Sequence, residues 1–258
     1  MSVNNGMPYI REAVESILKQ TYKNFEFIIV DDASEDKTWE YLKSLKDKRV
    51  KLIQNKKNIG LAASLNKTIA KSTGDYIARM DADDISLPNR FKEQVKFLKD
   101  HPSVDICGTW VDLINEDGRV IGEKKYPTKY KDIKKALRWY QPIIHPTLMS
   151  TKAVFEKLQG YQPGYEMAED YELMIRAKDY FKMANVAKKL LLWRLWKNRR
   201  SRKKMQKMDK IDLQIKIEAF KKGYFGPLYI LTIFRKFLMI YFLPISLKIK
   251  LAKILKLA

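Results

Sequence analysis

Residues 25–36 read FEFIIVDDASED, an apolar run that ends in two adjacent carboxylates. The apolar residues follow one another without the alternation of a strand that faces water on one side, so the run predicts a strand buried on both faces. Asp31 and Asp32 mark the end of that strand, and Ser34 or Asp36 is suited to cap a following helix. Such a strand is typical of a sheet that is covered by helices on both sides.

The same order of helix and strand continues on either side of this stretch. We predict helices over residues 7–20, 34–45 and 61–71 and strands over residues 50–54 and 75–80, with Gly60 and Gly74 between elements. Short apolar strands that alternate with helices indicate parallel strands joined by crossover helices. The sequence therefore predicts an α/β fold with a mostly parallel central sheet.

The pattern changes after about residue 100. Residues 104–126 predict two strands around an Asn-Glu-Asp-Gly turn at 115–118, which indicates a hairpin added to the sheet. A helix near residues 131–140, a loop at 144–146 and a helix that opens at 169 and runs to about 178 complete the body.

Composition limits the class of protein. With 258 residues and 46% hydrophobic content, the chain is long enough to bury the core of one substantial domain with an appendage. The single cysteine, Cys107, rules out an intrachain disulfide framework and a cysteine-rich zinc site, which fits a reducing compartment. A small buried apolar residue is the simplest interpretation of Cys107.

The net charge of +21 is concentrated at the carboxyl-terminal end. Residues 1–186 carry 31 Lys and Arg against 27 Asp and Glu, whereas residues 187–258 carry 20 against 3. The basic residues of the second region are interleaved with long aliphatic runs rather than with exposed aromatic platforms, a pattern that disfavours a nucleic-acid partner.

The densest acidic cluster follows the strand predicted at residues 75–80. Residues 76–84 read YIARMDADD, which places Asp81, Asp83 and Asp84 together at a strand end. Neighbouring carboxylates repel one another unless a cation balances them, and Mg²⁺ or Mn²⁺ with phosphate ligands would do so. Because ligands of open α/β sheets bind beyond the carboxyl ends of strands, Asp32 is expected to face the same crevice.

Two other acidic pairs have complete structural explanations. Asp31 and Asp32 could form an Asx turn before a capped helix, and Glu169 and Asp170 could be favourable charges at a helix amino terminus. For the cluster at 81–84, no comparably simple structural purpose is evident, so a functional role is favoured there.

Taken in order, several stretches resemble the inverting, nucleotide-sugar-dependent glycosyltransferases of family 2, which have the GT-A fold. They are residues 9–22 (YIREAVESILKQTY), 25–36 (FEFIIVDDASED), 58–60 (NIG), 75–90 (DYIARMDADDISLPNR), 144–146 (IHP) and 168–171 (AEDY). The resemblance covers roughly residues 1–196, which we take as one domain.

The resemblance implies roles for residues of the donor site. Asp32 would accept a hydrogen bond from the base, usually a uracil, and Asp81 would contact the ribose side and the metal environment. Asp83 would ligate Mg²⁺ or Mn²⁺ directly, since hard cations prefer oxygen ligands. Asn4 and Arg79 are further candidates for contact with the nucleotide sugar.

The resemblance also assigns the catalytic base. An acceptor hydroxyl is too weakly acidic to react unaided, so a carboxylate must take its proton, and Asp170 matches the family's base. Displacement from the face opposite the nucleotide would invert the anomeric centre. His145 and Glu169 are candidates for the acceptor site. A hydrolase with paired carboxylates is the rival chemistry, but it has no use for a metal and diphosphate clamp.

Three features depart from the family pattern. Relatives begin with a further apolar strand before the equivalent of residues 1–6, so we expect its absence here to leave strand edges unpaired. Asn4 stands where relatives often have an aromatic residue, and Trp196 stands where many have a metal-ligating histidine. A catalytically degenerate relative that binds membrane and glycan as a scaffold is therefore an alternative.

Residues 197–258 predict a basic, amphipathic helical tail. Its first helix would place Met208, Ile211, Ile215 and Ala219 on one face. Residues 228–247 are long enough to span a bilayer, but two central charges at 235–236 favour a helix that lies in the interface. A second amphipathic face is expected over residues 247–258, and anionic lipid would attract the basic residues.

Together these features predict a glycosyltransferase bound peripherally to the cytoplasmic face of the cell membrane. It would move a sugar from a UDP-sugar to a cell-surface glycan or its lipid-linked precursor. A metal-dependent nucleotidyltransferase is a third interpretation, and it would release pyrophosphate instead of a nucleoside diphosphate.

Overall fold

The structure is a computed structural model that describes residues 1–196 and 205–242. Its strands are β1 (Ser2–Val3), β2 (Phe27–Asp31), β3 (Val50–Gln54), β4 (Tyr76–Ala78), β5 (Ile85–Ser86), β6 (Ile106–Ile114), β7 (Val120–Lys124), β8 (Met149–Thr151) and β9 (Met183–Arg194). Its α-helices are α1 (Ile10–Leu18), α2 (Thr38–Ser44), α3 (Leu61–Lys71), α4 (Arg90–Asp100), α5 (Tyr130–Ala136), α6 (Lys152–Leu158), α7 (Glu169–Ala177), α8 (Met205–Lys221) and α9 (Ile230–Tyr241). Short 3₁₀ helices cover His145–Thr147 and Pro227–Tyr229.

Three parallel strands form the first sheet, in the order β1-β2-β3. All five residues of β2 are buried, which confirms the two-sided burial predicted from the apolar run. The register pairs Val3 with Asp31 and Asp31 with Gln54, so the carboxyl ends of all three strands meet at one edge. This edge carries Asp32 and its neighbours.

The second sheet is mixed, with the order β4-β8-β6-β9-β5 and with β7 paired to β6. Only β6 and β9 run parallel, whereas the other neighbours run antiparallel. The predicted α/β fold is confirmed, whereas the antiparallel pairing of β4 was not predicted. Its partner is β8, a strand of three residues that runs in the opposite direction between β4 and β6.

A cleft of about 830 Å³ separates the two sheets between β2 and β4. Phe27 and Ile28 line it from β2, and Ile77 and Ala78 line it from β4. Within the part of the chain that the structure describes, β4 pairs only with β8. The cleft therefore places two apolar strand edges opposite each other.

Several predicted elements agree with the structure. The strand at 50–54 and the helix at 61–71 are confirmed, and the hairpin is confirmed as β6 and β7. Helix α2 begins later than predicted, at Thr38, because the preceding residues form a turn in which Ala33 has a φ of 57°. In that turn the side chain of Asp36 accepts a hydrogen bond from the Thr38 N–H at 2.9 Å.

The helices at the carboxyl-terminal end pack on the body of the protein. Ile211, Ile215 and Ala219 of α8 are buried in the same apolar cluster as Tyr171 and Met174 of α7, which confirms that predicted face. The remaining predicted member, at position 208, is only half-buried.

The second face predicted for the tail, over residues 247–258, lies outside the described residues. Across residues 1–196 and 205–242, no helix combines the length and the hydropathy needed to cross a bilayer.

Candidate active site

Asp81, Asp83 and Asp84 converge on the turn between β4 and β5. One carboxylate oxygen from each residue lies within 4.8 Å of the other two. Three anions at this separation repel one another, and a hard divalent cation is the ligand that would neutralise them. The cluster predicted from the sequence is thus assembled in three dimensions.

The end of β9 contacts this cluster. Because β5 pairs with β9 through Ile85 and Leu192, the residues that follow on β9 run directly past the carboxylates. The backbone N–H of Arg194 donates to Oδ1 of Asp84 at 2.9 Å, and its guanidinium Nε donates to the carbonyl oxygen of Asp83 at 3.0 Å. Asp84 is 1% exposed, so its carboxylate serves the architecture of the turn.

Trp196 makes a side-chain contact with the cluster. Its indole Nε1–H donates to Oδ2 of Asp83 at 2.9 Å. The ring of Tyr9 packs edge-on against Trp196 with centroids 5.5 Å apart, and the guanidinium of Arg194 lies 4.4 Å from the centroid of Tyr9. The indole nitrogen offers no lone pair to a metal ion, so Trp196 can act on a metal site only by orienting the Asp83 carboxylate.

Arg79 lies beneath the cluster. It is 5% exposed, its Nη2 forms an ion pair with Asp81, and its carbonyl oxygen accepts a hydrogen bond from Arg90 at 2.8 Å. Its Nε and Nη1 atoms are buried without a hydrogen-bond partner among the described residues. Unpaired buried donors are costly, and an anionic ligand at this position would satisfy them.

Asp170 stands in the first turn of α7. Burial, and secondly the adjacent carboxylate of Glu169, raise the pKa of Asp170 to about 7. Its Oδ1 accepts a hydrogen bond from the N–H of Tyr171 at 2.8 Å, whereas Glu169 accepts one from the N–H of Met167 at 2.6 Å. A carboxyl group with a pKa near neutrality is suited to take a proton and to release it again.

His145 contacts Tyr161 near the same region. Its Nε2 lies 2.8 Å from the Tyr161 hydroxyl. Burial, and secondly the charge of Arg79, hold the pKa of His145 well below its usual range, so the ring is neutral. The charges of Arg79 and Asp170 both act on the pKa of Tyr161, which burial raises. These residues therefore share one electrostatic neighbourhood.

Asp32 has a different set of contacts. Its Oδ1 accepts hydrogen bonds from Asn55 Nδ2 at 2.8 Å and from the N–H of Ile59 at 2.9 Å, and its Oδ2 accepts one from the N–H of Gly60 at 2.8 Å. Gly60 has a φ of 87°, a conformation that glycine adopts without strain. Asp32 thus anchors the loop 55–60, and recognition of a base by Asp32 stays a prediction.

Asn4 lies beside this anchor at the end of β1. Its Nδ2 donates to the carbonyl oxygen of Asp32 at 2.8 Å and to that of Ala33 at 3.2 Å. The exposed Asn4 side chain therefore supports the turn after β2, and its contact with a nucleotide sugar also stays a prediction.

The residues present fit a divalent cation with a diphosphate. Asp81 and Asp83 could supply oxygen ligands, and the buried donors of Arg79 that lack partners would suit a phosphate. Three features were not predicted: the Trp196 to Asp83 hydrogen bond, the use of Asp84 by the backbone of β9, and the unpartnered donors of Arg79. The aromatic residue at 196 was the only sequence signal for the first of them.

Comparison with known families and proteins shows what the chain is similar to. Residues 1–158 match the family described as Glycosyl transferase family 2. An uncharacterized glycosyltransferase of Methanocaldococcus jannaschii, MJ1057, is 38% identical over 199 residues, which are 74% of this chain and 68% of that protein. The O-antigen biosynthesis glycosyltransferase WbnJ of Escherichia coli is 37% identical over 204 residues, which cover 76% of this chain and 78% of WbnJ.

Solved structures share the fold at lower sequence identity. TarS residues 1–349 of S. aureus, in complex with UDP-GlcNAc, superpose with a TM-score of 0.66 at 19% identity, over 84% of this chain and 64% of that one. The mannosyltransferase PcManGT of Pyrobaculum calidifontis, in complex with GDP-Man and Mn²⁺, gives a TM-score of 0.62 at 20% identity, over 93% of this chain and 68% of that one. The chain is therefore a family 2 glycosyltransferase with the GT-A fold.

Proposed function

We propose that this enzyme transfers a sugar from a UDP-sugar to a hydroxyl group of a cell-surface glycan or its lipid-linked precursor, with inversion at the anomeric carbon. One observation carries the proposal. Asp170 is a carboxyl group with a pKa near neutrality, and its charge and that of Arg79, which pairs with Asp81 of the carboxylate cluster, act on the same residues. The O-antigen role in the name of WbnJ and the UDP-GlcNAc complex of TarS support the classes of acceptor and donor.

At the donor side, Asp83 and Asp81 would hold Mg²⁺ or Mn²⁺, and the Mn²⁺ complex of PcManGT supports this choice of ion. A bound divalent ion would stabilise the negative charge of the departing diphosphate. Arg79 would donate its two unpartnered groups to a phosphate oxygen. Trp196 would keep the Asp83 carboxylate in one orientation.

At the acceptor side, Asp170 would take the proton of the attacking hydroxyl as the new glycosidic bond forms. A single displacement of this kind inverts the anomeric carbon, because the hydroxyl and the diphosphate occupy opposite faces of the sugar. Neutral His145 and the buried Glu169 would position the acceptor rather than exchange protons with it.

The placement of the enzyme is part of the proposal. The region after residue 186 has a large excess of Lys and Arg, and attraction to anionic lipid contributes about 1 kcal/mol for each basic residue near the surface. We place the enzyme at the cytoplasmic face of the membrane, where lipid-linked acceptors are available.

A panel of nucleotide sugars with Mn²⁺ tests this function. Release of UDP identifies a glycosyltransfer reaction, and release of pyrophosphate would identify a nucleotidyltransferase instead. Asp83→Ala and Asp170→Asn are expected to abolish turnover, while Asp100→Asn on the surface of α4 should retain it. Binding of a donor without turnover in every acceptor mixture, together with full biological activity of both variants, would favour a non-catalytic scaffold. No response to any donor would refute the proposal.

A further inference from the structure

Helix α9 has the reverse of the usual distribution of charged and apolar residues. Lys236 points towards the protein, where its Nζ lies 2.9 Å from a carboxylate oxygen of Asp209 and 2.7 Å from one of Asp212, both on α8. Thr232 is also turned inward and is 4% exposed. Thr232 and Lys236 thus lie on the side of α9 that packs on α8, together with Ile233.

The outward side of this segment is apolar and continuous. We define the α9 apolar face as Leu228, Ile230, Leu231, Phe234, Phe237, Tyr241 and Phe242, whose exposed fractions range from 41% to 76%. Positions 230, 234, 237 and 241 recur at helical spacing, so their side chains lie along one stripe. Single exposed apolar residues are ordinary, but a continuous patch of this kind marks an interaction surface.

The charge of the two segments on either side of residues 205–242 in the sequence favours an anionic partner. Six of the eight residues at 197–204 are Lys or Arg, and residues 243–258 carry four Lys and no acidic residue. An anionic bilayer surface offers apolar volume for the face and negative charge for the basic segments of the sequence at the same time. A protein partner would need an apolar groove and a second, extended acidic surface.

We propose that α9 lies in the interface of an anionic membrane with the α9 apolar face inserted among the lipids. This contact would hold the enzyme at the membrane surface where the proposed function places it. The contact does not depend on the transfer chemistry.

Helix α9 and its partner α8 also touch the elements beside the candidate base. The guanidinium of Arg235 lies 4.7 Å from the ring centroid of Trp139, and Lys216 of α8 donates to the hydroxyl of Tyr171 at 2.6 Å. Tyr171 follows Asp170 directly in α7.

Co-sedimentation of the full chain with lipid vesicles tests the inference. The vesicles contain phosphatidylcholine with or without phosphatidylglycerol. We expect binding only when phosphatidylglycerol is present, and we expect Phe234→Ser/Phe237→Ser to weaken that binding by about tenfold or more, since each buried aromatic side chain contributes strongly to insertion. Val120→Ser/Ile121→Ser is the matched control, because it removes two similarly exposed apolar side chains from β7 without any change in charge. The control should bind within about twofold of the unmodified protein.

Three results would overturn the inference. The first is unchanged vesicle binding of the α9 variant, and the second is equal weakening of binding in the two variants. The third is that the unmodified protein forms a dimer and the α9 variant is a monomer, because this outcome would assign the face to a second copy of the chain. Circular dichroism and Mn²⁺-dependent UDP binding verify that the variants are folded. If no donor supports turnover while vesicle binding follows the expected pattern, the proposed chemistry fails and the membrane contact stands.

Discussion

The indole N–H of Trp196 and the Oδ2 atom of Asp83 are 2.9 Å apart and form a hydrogen bond. This bond links Trp196, two residues beyond the end of β9, to the proposed metal ligand on the turn after β4. A partner behind a metal ligand fixes the orientation of that ligand, and its loss typically costs 10- to 100-fold in metal affinity.

Removal of the indole N–H should therefore weaken metal binding without removing a ligand. We expect Trp196→Phe, which keeps an aromatic ring against Tyr9, to lower the affinity for Mn²⁺ by about tenfold in a titration followed by electron paramagnetic resonance. Trp196→His supplies a nitrogen ligand, so it should bind Mn²⁺ at least as tightly as the unmodified protein. Equal affinity of the Phe variant and the unmodified protein would contradict this role.

The pKa of Asp170 predicts the pH dependence of turnover. A base must be unprotonated to act, so kcat/KM for the acceptor should rise with pH, reach half its maximum near pH 7 and then level off. A profile that is flat from pH 5 to about 8 would exclude Asp170 as the base whose protonation controls the rate.

The same group affects stability in the opposite direction. Its pKa is about 7 in the folded protein and about 3.9 in an unfolded chain, so the folded state binds the proton more tightly. The contribution of Asp170 to stability is therefore greatest below about pH 4 and is lost as the pH rises to about 7. In Asp170→Asn this pH-dependent decrease in the free energy of unfolding should be absent. Urea denaturation at pH 5 and at about pH 8 would measure the difference.

Arg79 allows a test of phosphate recognition that preserves charge. Arg79→Lys keeps a cation beside Asp81 but removes the two buried donors that lack partners. Calorimetry with Mn²⁺ should show UDP binding weakened by about tenfold or more, as expected when hydrogen bonds to a charged ligand are lost. Arg49→Lys is the control, because Arg49 is a half-buried arginine that pairs with Asp47 and not with the carboxylate cluster. If Arg79→Lys binds UDP normally, the unpartnered donors do not face the phosphate.

The cleft between β2 and β4 predicts that residues added before Met1 would stabilise the folded protein. Several β-branched residues placed before Met1 would continue the strand direction of β1 and cover the edges that carry Phe27 and Ile77. We expect a higher melting temperature than for the present chain, because apolar surface is buried and strand edges are paired. An extension of the same length built from Gly and Ser is the control. Equal melting temperatures of the two extended forms would rule out filling of the cleft.

Local patterns were sufficient for much of the first half of the fold. The strand at 50–54 and the helix at 61–71 were predicted to the residue, because each has a clear period and a glycine or polar boundary. The pairing of β4 with β8 was not predictable in this way. The three residues of β8 carry no recognisable pattern and lie about seventy positions further along the chain.

The sequence placed the carboxylates but not their surroundings. The grouping of Asp81, Asp83 and Asp84 follows from adjacency, and Asp170 was assigned by resemblance alone. The raised pKa of Asp170 depends on burial, and the hydrogen bond from Trp196 depends on the pairing of β5 with β9. Both are consequences of tertiary structure that no local motif encodes.

The ion pairs of Lys236 fix the rotation of α9 about its own axis. To turn its aromatic residues towards α8, the helix would have to break the ion pairs of Lys236 with both Asp209 and Asp212, and the loss of a part-buried ion pair is destabilising. The aromatic stripe is therefore held outward before any partner arrives. The protein needs no opening step to expose it, so adsorption to a surface should be limited by encounter rather than by a conformational change.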